Sequence, residues 1–207
     1  MTTPAPDALS PLNLDAAHTA ILSMDLQAGI VSVYVKDESF VRRAARTLQA
    51  ARVAGLPVVH VRVGFRPTVP EASPRNMFLS AIKASPPHQR FFQDASGAIH
   101  PDLGATDRDL IVTKSRVSAF AGTDLEVLLR ANDVNTLVLF GIATSGVVLS
   151  TVLEAADRDY RLIVVKDCCA DLDVDLHDAL IDKVFPRQAT VVSADQLTQA
   201  IGGRTDQ

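Results

Sequence analysis

Nothing in this 207-residue sequence is in basic excess: its formal net charge is −4, so there is no electrostatic footprint for a nucleic-acid partner. No apolar run reaches the length of a membrane span, and the longest are strand-sized. The stretch from Met1 to Leu9 lacks the basic start and apolar centre of a signal peptide, so a cytoplasmic location is expected. Cysteine is confined to the adjacent pair Cys168 and Cys169. Neighbouring cysteines rarely bridge, because the peptide between them must distort. The expectation is two buried thiols at a strand end in a reducing compartment. The histidines (His18, His60, His88, His100 and His177) show no paired spacing, so neither a metal nor a cofactor is expected.

What remains is an ordinary globular mixture, 47% hydrophobic and 21% charged, with length enough for one domain and a full core. Residues 1–17 form a Pro-rich lead-in, residues 18–201 the domain and residues 202–207 a polar tail. Short apolar runs predict strands at Thr19–Met24, Pro57–Val63, Asp109–Thr113, Thr136–Phe140, Arg161–Lys166 and Thr190–Val192. Helical periodicity predicts helices from Asp37 or Ser39 to about Ala54 and near Asn76–Ala84. Others are expected from a Thr123 cap to about Asn132, from Gly146 through Arg158, over Val174–Val184 and over Ala194–Ile201 after a Ser193 cap. Residues 64–93, with Pro67, Pro70, Pro74, Pro86 and Pro87, are too long and irregular for a plain connection and suit a binding loop or lid. Strands alternating with helices imply an α/β fold: three αβα layers around a mainly parallel six-stranded sheet.

In such sheets ligands bind beyond the carboxyl ends of the strands. Three stretches meet there. Asp25 ends the first strand, where burial raises a carboxyl's pKa unless a cation offsets it. Lys114, ending the third strand, is that cation. Gly141 opens a tight turn from the fourth strand into a helix, aiming backbone N–H groups at one point.

Met24-Asp-Leu-Gln27, Thr113-Lys114 with Ser118-Ala-Phe120 and Thr123-Asp-Leu125, and the turn Gly141-Ile-Ala-Thr144 through Thr151 together resemble the isochorismatase-like superfamily. These are the cysteine hydrolases that include nicotinamidases and related amidases. The match runs from about residue 18 to 200. The resemblance implies an acid/base at Asp25, a charge-stabilising lysine at Lys114 and a nucleophile position at 147. It implies substrate contacts from Gln27, Phe120, Ile142, Ala143, Thr144, Gly146 and Thr151, and a cis peptide between Ile142 and Ala143. It also implies a homodimer or homotetramer. The expected cysteine is replaced by Val147, which has no heteroatom and cannot attack a carbonyl.

Thr144, Ser145 and Ser150 are read as helix-capping hydroxyls, since sequence places no histidine to activate them. The isochorismatases proper also lack the cysteine and work without a covalent intermediate, which Asp25 and Lys114 would suit. Their dicarboxylate substrate needs further cations, for which Arg62, Arg66, Arg75 and Arg90 are candidates. Val61-Arg-Val-Gly-Phe-Arg-Pro67 lacks the Asp-x-His metal motif of nicotinamidases. Phe65, Phe91, Phe92 and Phe120 are candidate pocket or core aromatics. The expected function is hydrolysis of a small molecule without a covalent cysteine step. The alternative is a non-catalytic relative that binds a small ligand or acts through its oligomer.

Overall fold

The computed structural model describes Leu12, residues 14–92 and residues 94–202. Most of the lead-in, the tail beyond residue 202 and Gln93 lie outside the described residues. Six parallel strands form one sheet in the order β3-β2-β1-β4-β5-β6: β1 Thr19–Met24, β2 Val58–Val63, β3 Leu110–Lys114, β4 Thr136–Gly141, β5 Arg161–Val165 and β6 Thr190–Val192. Successive side chains of a strand point to opposite faces, yet every residue of β1 and β4 is buried. Both faces are therefore covered, which is why these strands read as unbroken apolar runs rather than alternations.

The helices are α1 Ala28–Tyr34, α2 Phe40–Val53, α3 Met77–Ala84, α4 Pro86–Phe91, α5 Leu125–Ala131, α6 Leu149–Ala156, α7 Val174–Ala179 and α8 Ala194–Gly202. π-helical turns at Thr144–Val148 and Leu180–Val184 lead into α6 and out of α7. The amphipathic α2 buries Phe40, Ala44, Thr47, Leu48 and Ala51, the face its periodicity predicts. Asn76 caps α3 by accepting from the Leu79 amide at 3.0 Å. Ser193 and Gln196 cap α8 reciprocally, each side chain accepting from the other's amide, at 3.2 and 2.7 Å.

Two helices depart from expectation. The stretch Ala28-Gly-Ile-Val-Ser-Val-Tyr34 is rich in β-branched residues and carries no helix signal, yet it forms α1. The edges of β1 are already paired with β2 and β4, so this stretch has no strand partner there and packs Val31 inward instead. Pro86-Pro87, within the segment expected to be irregular, starts α4, because prolines fit a helix's first turn. Between Thr123 and α5 the hydroxyl accepts from the Leu125 amide at 3.3 Å, and Asp124 is the capping position.

Gly141 is required by close approach. A Cβ there would lie 2.2 Å from the Met24 carbonyl oxygen, a backbone atom of the neighbouring strand that cannot swing aside. Gly141→Ala is expected to destabilise the fold by about 3 kcal/mol, the upper part of the overpacking range, read from urea unfolding. The Ile142–Ala143 peptide is cis, as the resemblance implies.

A second buried polar group sits away from the strand ends. His60 of β2 is buried, with Nε2 3.4 Å from Asp109 Oδ2, an electrostatic contact rather than a hydrogen bond. Asp109 itself is held by Arg52, at 3.1 and 2.8 Å, and by the Thr106 amide at 2.8 Å. Burial keeps the imidazole below its usual 6.5 despite the carboxylate. The unfolded chain thus takes up a proton near pH 6.5 that the folded chain refuses until lower pH, so acidification below that point favours unfolding. Asp25, whose carboxyl is shifted upward, acts in the opposite sense. The urea midpoint should fall from pH 7 to about pH 5, and His60→Leu should flatten that fall. An equal slope in the variant would assign the acid sensitivity elsewhere.

Candidate active site

β1 ends at Met24 and hands the chain to Asp25, whose φ of 57° lies in the left-handed region that Asp tolerates better than most residues. Its amide bonds the Val61 carbonyl at 2.8 Å, so the carboxyl is fixed at the rim of the β1–β2 junction. Lys114, last residue of β3, brings Nζ to 2.8 Å from Asp25 Oδ2, with both side chains buried. Nζ also donates to the Arg116 carbonyl at 3.1 Å. Among the described residues, Asp25 Oδ1 has no hydrogen-bond partner. Burial raises the carboxyl's pKa, and the ammonium beside it only partly pulls it back. The result is an acid/base whose proton is held more firmly than that of an ordinary aspartate.

Asp25 and Lys114 stand in a cavity of about 600 Å³, together with Ile142, Ala143, Gly146 and Val147 of the turn after β4. The site thus lies at the carboxyl end of β1 and β4, where the strand order reverses direction. A hollow of about 710 Å³ at the other end of these strands, around Asn135, Thr136 and Arg161, is more open and holds no comparable acid–cation pair. We take the first as the site, because the buried pair is there.

The turn is built differently from the expectation that amides from Ile142 to Val147 are aimed at a ligand. The Ile142 amide bonds Met24 O at 3.1 Å, Thr144 bonds Ala170 O at 2.9 Å, and Gly146 bonds Ala143 O at 3.1 Å. The Ser145 amide donates to Asp171 Oδ2 at 2.7 Å.

Four of the expected substrate contacts do not line the cavity. Gln27 is fully buried and pairs like a strand residue with Val63, accepting from its amide at 2.8 Å and donating to its carbonyl at 3.0 Å. It also donates to Gly97 O at 2.7 Å. Thr151 accepts from the Ala119 amide at 3.0 Å. Phe120 is buried against Tyr160, with the Arg158 guanidinium 4.9 Å from its ring centre. Thr144, buried, has Oγ 2.8 Å from His177 Nδ1 of α7. These residues hold the site's frame rather than its contents. Sequence spacing gave no hint of His177; it reaches the turn only because α7 packs against it.

Of the arginines, Arg62, Arg66, Arg75 and Arg90 all lie outside the cavity lining, whereas Arg116 is part of it. Arg62 bonds Thr113 and Arg66 bonds Glu71. Phe65, Phe91 and Phe92 do line it. Neither cysteine does. The Cys168 thiol is pushed up to about 12 by burial, and that of Cys169 is raised too, so both stay protonated and inert. Asp167 accepts from the Ala194 amide at 2.8 Å and so anchors the start of α8. Among the described residues, no group of three or more His, Cys, Asp or Glu side chains is placed to hold a metal ion, and no helix is long and apolar enough to cross a membrane.

Comparison with known proteins agrees with this fold. The family described as "Isochorismatase domain" matches residues 19–196. The uncharacterised isochorismatase family protein YecD of Escherichia coli O157:H7 is 35% identical, over 92% of this chain and 100% of its own. The ureidoacrylate amidohydrolase RutB of Variovorax paradoxus is 30% identical over 82% of this chain and 77% of its own. Among solved structures, an isochorismatase family protein from Burkholderia thailandensis superposes with a TM-score of 0.81 at 31% identity, covering 93% of this chain and 99% of the other. On its fold, its strand-end acid–lysine pair and these relatives, the chain belongs to the isochorismatase family.

Proposed function

We propose that this family member hydrolyses a small molecule by direct attack of water, with Asp25 as general acid and base. The observation that carries the reading is the buried Asp25–Lys114 pair, 2.8 Å apart, facing a cavity in which the nucleophile position is the hydrocarbon Val147. A carboxyl whose pKa burial raises above that of an ordinary aspartate suits a group that must both give and take a proton. Lys114 steadies the negative charge that appears on Asp25 when the proton leaves.

On a vinyl ether, Asp25 delivers its proton to the terminal alkene carbon, leaving positive charge on the oxygen-bearing carbon. Water bonds to that carbon and returns a proton to Asp25. The hemiketal then breaks its C–O bond to give a carbonyl compound and an alcohol. The similarity to an amidohydrolase keeps amides and carbamates among the candidates. The test is turnover on a panel of vinyl ethers, carbamates and amides, repeated with Asp25→Asn. Turnover that survives the substitution would remove Asp25 from the mechanism.

A second reading rests on Val147 itself. A buried hydrocarbon in place of the attacking atom suits a protein that retains the pocket for binding alone. No turnover across the panel, together with a ligand that raises the melting temperature with the logarithm of its concentration, would favour that reading.

A further inference from the structure

Most of the cavity is neither charged nor polar, and this limits what it can accept. Beyond the Asp25–Lys114 end, its walls are Val33 of α1, Phe78 and Ile82 of α3, and an aromatic cluster. In that cluster Phe92 meets Phe65 and Phe91 edge-on, with ring centres 5.2 and 4.9 Å apart. Val33 and Phe78 remain 59% and 62% exposed although they line the cavity, so the mouth presents apolar side chains to water.

The cations are few. Lys114 is paired with Asp25; the Arg116 guanidinium donates to Ser115 O at 2.7 Å and Glu71 O at 3.2 Å and keeps its charge, and His88 also lines the cavity. A substrate carboxylate placed against the aromatic wall would lose its hydration, and Arg116 is the one cation of the described lining not already paired with a carboxylate, too few for two such groups.

We infer that the site takes a neutral substrate with an aryl or branched-alkyl body, seated on the Phe65–Phe92 wall with its reacting polar group at Asp25. This rests on reading the cavity as the substrate site, and it argues against dicarboxylates as substrates. A volume of about 600 Å³ leaves room for an aromatic ring together with a functional group.

The test uses ligands that cannot be hydrolysed, so it is independent of catalysis. Benzyl methyl ketone, phenylacetate, succinate and acetone are titrated calorimetrically into the wild-type protein. The ketone is expected to bind at least about tenfold more tightly than each of the others, in keeping with the discrimination an apolar pocket offers. Phe78→Ala should weaken ketone binding about threefold, as loss of one aromatic contact does, without lowering the melting temperature. Phenylacetate or succinate binding as tightly as the ketone, no ketone binding, or a ketone affinity untouched by Phe78→Ala would each overturn the inference. Turnover that survives Asp25→Asn while the ketone still binds selectively would instead overturn the mechanism and leave the substrate class standing.

Discussion

Asp25→Asn is expected to lower turnover by about 100- to 10,000-fold, the usual contribution of a positioned acid/base. Asparagine is the informative replacement because it, too, accepts the left-handed backbone at this position, φ 57°. It keeps the shape of the side chain and removes the exchangeable proton. The same change leaves the buried Lys114 ammonium without its counter-charge, so stability should fall by about 3–5 kcal/mol in urea unfolding. Pairing Asp25→Asn with Lys114→Met removes both charges. The double variant should recover most of the lost stability and none of the activity. Stability and activity returning together would make the pair a folding element and nothing more.

Val147→Cys should have the opposite effect and create an activity. Val147 is 2% exposed and lines the cavity that also contains Asp25. A CH₂SH group is no larger than isopropyl, so the cost to the fold should stay near about 1 kcal/mol. Asp25 would take the thiol proton and later pass it to the leaving amine, giving covalent hydrolysis of amides and carbamates. The checks are amidase turnover absent from the wild type and an acyl adduct on the new thiol by intact-mass measurement. A thiol that forms no adduct with any activated acyl donor would show that more than the nucleophile differs from a cysteine hydrolase.

The strands were legible because the central ones are buried on both faces, and such strands leave uninterrupted apolar runs such as Leu137 to Phe140. The Asp25–Lys114 meeting was legible for a related reason. A charged residue closing a buried strand needs a partner, and parallel strands bring their ends to one place. α1 was hidden, since Ile30, Val31 and Val33 favour strands locally and only the pairing of β1 on both sides decides otherwise. Motif membership pointed to Gln27, Thr144 and Thr151 without saying what they do. Their side chains bond the backbone or the half-buried His177, and that division between frame and contents depends on orientation. Arg116 escaped notice although it stands two residues past Lys114, because an arginine in a loop gives no sign of which way it faces.

The two cysteines carry a consequence beyond their packing. Both thiols are buried and held protonated, that of Cys168 pushed up to about 12, and residue 147 in the cavity is a hydrocarbon. Peroxide, heavy-metal ions and alkylating electrophiles attack cysteine as the thiolate, so neither of these two thiols is a ready target for them at neutral pH.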